Sequence, residues 1–222
     1  MPALLFGSIS TLADTSELQR SSFNQAFADH GLGWEWPREE YRSLLGSNGG
    51  AARIADYARA RGEQVDADAV HATKSVIFQK SLVSNGAEAR PGVIETMTGA
   101  RSAGYRLGFV TTTSAANVEA LFQALAPALR SADFDIVTSA ADVPASKPDP
   151  AVYELALREL GLSAADCVAI EDNPGGAQAA VAAGIVCAAF PNENTGALDF
   201  GAADPAGNRL SFEELAGRIP RR

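Results

Sequence analysis

The sequence predicts an α/β protein whose parallel sheet carries helices on both faces. Strand-length apolar segments alternate with stretches of helical periodicity, which is typical of a parallel sheet. Residues 15–85 break this alternation, because their periodicity is helical and no clear strand signal interrupts it. The chain of 222 residues, 46% hydrophobic and 20% charged, is long enough to bury a substantial core. We therefore expect a core domain of residues 1–14 and 86–222, with a helical cap domain of residues 15–85 inserted into it.

Five apolar segments are predicted as the strands. They are residues 3–6, 106–110, 135–138, 167–170 and 186–190. The first is a continuous apolar run that ends in a loop, so we expect it to be a central strand buried on both faces. A helix is predicted over residues 151–160, between the third and fourth strands.

Charge and composition limit the classes of partner and the cellular location that we expect for this protein. The formal net charge is −9, and Lys and Arg are scattered singly, so we expect no nucleic-acid partner. The longest apolar stretches are strand-length and the N-terminus lacks a targeting pattern, so we expect no membrane partner and a cytoplasmic location. Cys167 and Cys187 lie in apolar segments and are expected to be reduced and buried.

Polar residues follow several of the predicted strands. They form the loops 7–11, 111–114, 146–147 and 171–172. Ligands of open parallel sheets bind beyond the carboxyl ends of the strands, where such loops converge. Lys147 would supply a fixed cation and Thr111 a hydroxyl donor, and helix N-termini would add amides. These residue types predict a phosphate site.

Other interpretations of the same residues remain open. Lys147 could pair with Glu171 or Asp172 as a buried structural ion pair. The hydroxyls of residues 111–114 could serve only as a strand end and helix cap. The glycine-rich loop of residues 46–50, which opens a helix carrying Arg53, is a second candidate for an anion-binding turn.

Four segments resemble the four motifs of the haloacid dehalogenase (HAD) superfamily of phosphatases, subfamily IA. They are FGSISTLADT, LGFVTTTS, ASKPDP and AIEDNPGG, in that order and spacing. Further stretches resemble the CbbY-type sugar-bisphosphate phosphatases, which remove a phosphate from xylulose bisphosphate. They include ELQRSSFNQAFADHGLGWEWPREEYRSLL, RPGV and AGYRLGFVTTTSAANVEAL. The resemblance covers nearly the whole chain and implies a Rossmannoid sheet with an inserted α-helical cap.

The resemblance also identifies what this sequence lacks. In the family, an aspartate at the end of the first strand attacks phosphorus, and a second aspartate two residues later serves as general acid and base. These positions are occupied here by Gly7 and Ile9. Neither residue can perform that chemistry, so we expect aspartyl-phosphate catalysis to be lost.

Other family positions are kept in the core. By resemblance, Thr111, Thr112 and Lys147 would bind phosphate, and Glu171 and Asp172 would help to seat Mg²⁺. Without the nucleophile carboxylate the metal keeps fewer anionic ligands than it normally uses, so we expect Mg²⁺ to bind weakly, if at all.

The predicted cap differs at positions that face substrate in the family. An acidic residue has become Ser16 and a histidine has become Gln19, while the resemblance places Arg20 and Arg53 near the mouth of the cleft. His71 matches no catalytic position and is interpreted as incidental.

Three hypotheses about function follow. The first is a catalytically inactive phosphatase relative that binds a phosphorylated metabolite or inorganic phosphate. The second is a hydrolase with an altered mechanism, and the third is a protein-interaction module with an inert pocket. A serine nucleophile is disfavoured, because alternation along the strand should point Ser8 away from the nucleophile direction.

Overall fold

A computed structural model describes residues 1–46 and 49–219 of the chain. Within these residues six strands form one sheet in which all neighbours are parallel. The strands are β1 (Ala3–Phe6), β2 (Arg106–Phe109), β3 (Ile136–Val137), β4 (Cys167–Glu171), β5 (Val186–Ala189) and β6 (Asp204–Pro205). Their order is β3-β2-β1-β4-β5-β6, so the prediction that β1 is central is confirmed.

The two edges of the sheet differ from the sequence prediction. β3 is shorter than the predicted 135–138, and side chains add to the backbone hydrogen bonds at both of its ends. The Asp135 carboxylate accepts the Leu107 N–H at 2.8 Å, and the Thr138 hydroxyl accepts the Thr111 N–H at 2.9 Å. β6 was not predicted, since two residues are too short to show an alternating pattern.

Helices fill the segments between the strands. They are α1 (Ile9–Leu12), α2 (Ser16–Asp29), α3 (Arg38–Ser43), α4 (Gly50–Ala60), α5 (Ala67–Asn85), α6 (Val93–Ser102), α7 (Ala115–Leu125), α8 (Ala151–Leu160), α9 (Pro174–Ala182) and α10 (Phe212–Ala216). The helix predicted over 151–160 is confirmed as α8. α9 begins where the Asn173 side chain accepts the Gly176 N–H and Pro174 occupies the first turn, both common helix-start features.

Both faces of the sheet are buried. Successive side chains of β1 alternate between two clusters, with Leu4 and Phe6 in one and Ala3 and Leu5 in the other. Cys167 and Cys187 are buried and unpaired in the second cluster, as predicted. In the part of the chain that the structure describes, no helix combines the length and apolar character needed to span a membrane.

Among the described residues no strand intervenes between helices α2 and α5, and we call residues 16–85 the helical segment. Its apolar side chains form a third cluster, in which Phe27, Trp36 and Ile54 are fully buried. Helix α5 joins this cluster to the sheet, because its Phe78 and Leu82 pack in the cluster that contains β1. The helical segment and the loops that follow the strands line one cavity, so this segment lies against the carboxyl ends of the strands.

Candidate ligand-binding site

A cavity of about 510 Å³ lies between the carboxyl ends of the strands and the helical segment. The core contributes Gly7, Ser8, Ile9, Thr111, Thr112, Lys147 and Asp172 to its lining, among others. The helical segment contributes Gln19, Tyr41, Arg53, His71 and Lys74. Most of the predicted site residues therefore lie around one cavity, as expected for loops at one edge of a parallel sheet.

Two predicted residues lie elsewhere. Arg20 is not among the described lining residues, because its guanidinium donates to Glu17 at 3.0 Å and to the Trp36 carbonyl at 2.9 Å. Glu171 is fully buried behind the cavity wall. In the glycine-rich loop of residues 46–50, Ser47 and Asn48 lie outside the described residues.

The Lys147 ammonium is held by three protein oxygens. It donates to the Gly7 carbonyl, to the Val110 carbonyl at 2.7 Å and to Glu171 Oε1 at 2.6 Å. An ammonium has three N–H donors, so these contacts use all of them. Lys147 is therefore placed as a buried ion pair, the alternative that the sequence left open, and has no N–H left for phosphate.

Glu171 completes this buried group. Its Oε1 also accepts the Tyr153 hydroxyl at 2.6 Å, while its Oε2 has no hydrogen-bond partner in the described part of the chain. Burial raises the pKa of Glu171, and the nearby Lys147 ammonium opposes that rise. A β-carbon at either Gly7 or Gly176 would overlap the Glu171 carboxyl group. The carboxyl group thus occupies a cradle between two glycines.

The remaining carboxylate of the predicted metal pair is also occupied. Asp172 Oδ1 accepts from the Ser8 hydroxyl and from Asn173 at 3.0 Å, and its Oδ2 accepts from Asn192 at 2.6 Å. Within residues 1–46 and 49–219 no three His, Cys, Asp or Glu side chains converge in a metal-binding arrangement. Mg²⁺ is usually held by one or two carboxylates together with water and substrate phosphate. Asp172 is the one carboxylate among the described cavity-lining residues, and its oxygens already accept from side-chain donors, so few protein ligands are available to this metal.

Ser8 of the first loop lines the cavity. Its hydroxyl reaches the Asp172 carboxylate across the cavity floor and lies 3.1 Å from the Thr11 hydroxyl. A β-carbon at Gly7 would point to Glu171, whereas Ser8 contacts Asp172, and both positions line the cavity. The strand ends at Phe6, so strict alternation does not extend to these residues. Ile9 is 5% exposed and packs with the sheet cluster, so it offers hydrocarbon where a proton carrier would be needed.

The threonine loop after β2 combines structural contacts with access to the cavity. Thr111 Oγ1 accepts the Thr113 N–H at 3.2 Å, which leaves its own O–H available as a donor. Ser114 caps α7 by accepting the Asn117 N–H at 3.3 Å. Thr111 and Thr112 both line the cavity. The capping interpretation and the ligand-facing interpretation are thus compatible.

Lys74 of α5 is a residue of the cavity that sequence reasoning missed. It is 5% exposed, donates to the Gln19 side-chain oxygen and lies 4.7 Å and 5.0 Å from the Phe23 and Phe78 ring centroids. Burial and the nearby Arg53 lower its pKa to about 7. The sequence did contain a signal for this residue. The buried residues of α5 recur every four positions, and Lys74 occupies one of these positions, four residues before Phe78.

Two further basic side chains lie near Lys74. Arg53 donates to the Leu44 carbonyl at 2.9 Å, and its guanidinium lies 5.9 Å from the Tyr41 ring centroid. His71, interpreted as incidental, lines the cavity, and burial together with the two neighbouring cations lowers its pKa. Among the described lining residues Asp172 is the one carboxylate. The helical wall of the cavity is therefore basic and suited to an anion.

Comparison with known proteins identifies the class. Residues 10–190 match the family model described as haloacid dehalogenase-like hydrolase, so the chain belongs to this family. Within the family it is CbbY-like. It is 40% identical to protein CbbY of Cereibacter sphaeroides over 97% of this chain and 94% of that protein. It is 38% identical to CbbY of Rhodobacter capsulatus over 92% of this chain and 91% of that protein.

Solved structures also show that the chain is similar to CbbY. CbbY from Rhodobacter sphaeroides in complex with phosphate superposes with a TM-score of 0.83, at 38% identity over 99% of both chains. A mutant of the same protein in complex with xylulose-(1,5)bisphosphate gives a TM-score of 0.84 over 100% of both chains, also at 38% identity. The resemblance and the fold class expected from the sequence are confirmed.

Proposed function

We propose that this protein binds a phosphorylated small molecule, such as a sugar phosphate, and does not hydrolyse it through an aspartyl-phosphate. The observation that carries the proposal is the cavity itself. It keeps a basic wall and a row of hydroxyls, whereas the two positions that would perform the chemistry are Gly7 and Ile9. In this proposal residues 15–85 act as a cap over the ligand. The protein acts in the cytoplasm and has no membrane or nucleic-acid partner.

Loss of catalysis follows from the first loop. Hydrolysis through a covalent intermediate needs an activated nucleophile and a proton carrier within hydrogen-bond reach. Ser8 offers a hydroxyl beside Gly7, yet its contacts are Asp172 and Thr11, neither of which is a histidine base. Because the Asp172 carboxylate is already satisfied by donors, we also propose that ligand binding does not require Mg²⁺.

Ligand binding is favoured by the unbalanced charge of Lys74. A buried ammonium is costly unless it is paired, and among the described residues the side-chain acceptor of Lys74 is the neutral amide of Gln19. An anionic group in the cavity would supply the missing counter-charge. The cavity volume falls within the range of small-molecule sites, and CbbY structures with phosphate and xylulose bisphosphate support this class of ligand.

Calorimetry with a panel of sugar monophosphates and bisphosphates, with and without Mg²⁺, tests the proposal. We expect Lys74→Met to weaken binding of the best ligand at least about tenfold, or about 1.4 kcal/mol. Lys80→Met is the matched control, because Lys80 lies on the same helix but is exposed. The Lys80→Met variant should bind the same ligand with wild-type affinity. Addition of Mg²⁺ should leave the affinities unchanged.

Phosphate release measured on the same panel separates the alternatives. Mg²⁺-dependent release that Asp172→Ala abolishes would establish a hydrolase with an altered mechanism and contradict the proposal. Failure of every phosphorylated compound to bind would favour an interaction module with an inert pocket. Binding without release, sensitive to Lys74 and insensitive to Lys80, is the expected result.

A further inference from the structure

Lys147, Glu171 and Tyr153 form a buried group with more hydrogen bonds than an ordinary ion pair. Lys147 lies at the cavity wall, yet its three N–H donors point to two backbone carbonyls and to Glu171. Glu171 is fully buried, and its Oε1 receives both the ammonium and the Tyr153 hydroxyl. This cation is therefore neutralised from within the protein.

The glycines on either side of Glu171 show that its carboxyl group fills a specific space. A β-carbon at Gly7 would overlap the carboxyl group and would lie 2.5 Å from the Tyr153 hydroxyl. A β-carbon at Gly176 would overlap the same group from the opposite side and would lie 2.5 Å from Glu171 Oε1. Neither glycine has a positive φ, so their backbone conformations do not require glycine. The absent side chain at position 7 provides space that Glu171 occupies.

We propose that Glu171 is an internal ligand of Lys147, holding the position and the charge that an anion from solution would otherwise take. This inference rests on the proposed function and refines it. A bound phosphoryl group contacts the threonine loop and the basic helical wall, and it does not contact Lys147. Glu171 thereby determines which cations of the cavity are available to the ligand.

Calorimetric titration with inorganic phosphate tests the inference on four proteins. They are wild type, Lys147→Met, Glu171→Gln and the double variant Glu171→Gln/Lys147→Met. We expect Lys147→Met to bind phosphate within about twofold of wild type. Glu171→Gln keeps the side-chain volume and removes the negative charge, so it should bind phosphate at least about tenfold more tightly. The double variant should lose this gain.

Tyr153→Phe is the matched control, because it removes a donor to the same carboxyl oxygen and keeps the ion pair. Its phosphate affinity should equal that of wild type. Thermal unfolding of each variant shows whether the fold is retained. Weaker binding by Lys147→Met combined with no gain in Glu171→Gln would overturn the inference. Sensitivity to Lys74→Met would still test the proposed function separately.

A second measurement uses wild-type protein and so does not depend on how the variants fold. The Glu171 carboxyl carbon is followed by ¹³C NMR in glutamate-labelled protein, with its signal assigned from the Glu171→Gln spectrum. Saturation with inorganic phosphate should leave its chemical shift unchanged, because the pair with Lys147 persists. A change in this shift, with phosphate bound, would show that the anion displaces Glu171 and would refute the inference.

Discussion

Replacing Gly7 with alanine should destabilise the protein through direct overlap with Glu171. The new β-carbon would meet the carboxyl group and would lie 2.5 Å from the Tyr153 hydroxyl, well inside van der Waals contact. Glu171 has little room to move, because Gly176 borders it closely on the other side. Overpacking a tight core costs about 1–3 kcal/mol, and we expect the upper end here. For a chain of this length that lowers Tm by about 6–12 °C.

Thermal unfolding followed by circular dichroism measures this effect against a matched glycine. Gly33 has no neighbour within 4 Å of its would-be β-carbon and no positive φ. Gly33→Ala should therefore leave Tm unchanged or raise it slightly. In a Glu171→Ala background the overlap with the carboxyl group is gone and that with the Tyr153 hydroxyl remains, so Gly7→Ala should cost less than it does in wild type. A Gly7→Ala protein with wild-type Tm would refute the packing on which the Glu171 inference depends.

Two further predictions concern stability. The pKa of Lys74 is about 7 in the folded chain, whereas a lysine in the unfolded chain titrates near about 10.4. Between these values the unfolded chain holds the extra proton, so the free energy of unfolding rises with pH, by up to about 1.4 kcal/mol per unit. Urea unfolding at pH 7 and 9 should show this rise in wild type and a smaller one in Lys74→Met; equal slopes would contradict it. Arg90 donates to three backbone carbonyls, one in α1 (Ser10) and two directly after β5 (Phe190 and Pro191). Arg90→Met should cost about 3 kcal/mol, whereas Met at the exposed Arg209 should cost under about 0.5 kcal/mol.

Residue types alone predicted several of the side chains that lie at the site, but not which of them are free to bind a ligand. Thr111, Thr112, Lys147 and Asp172 all line one cavity, because the carboxyl ends of parallel strands converge whatever the details of packing. The availability of Lys147 could not be predicted in the same way. It depends on the orientation of Glu171, which ends β4 and pairs with Lys147 in the loop between β3 and α8.

From the sequence we predict five of the six described strands in their order along the chain, the central position of β1, the family, and Gly7 and Ile9 where the family has carboxylates. These features are local or linear, since strand and helix periods and motif spacing are carried by residues close together in the chain. Three features could be seen only in the folded chain: Lys147 is neutralised by Glu171, Ser8 contacts Asp172, and Lys74 is buried and lines the cavity. Burial and hydrogen-bond satisfaction depend on distances between residues far apart in sequence, and those distances are fixed only when the segments pack together.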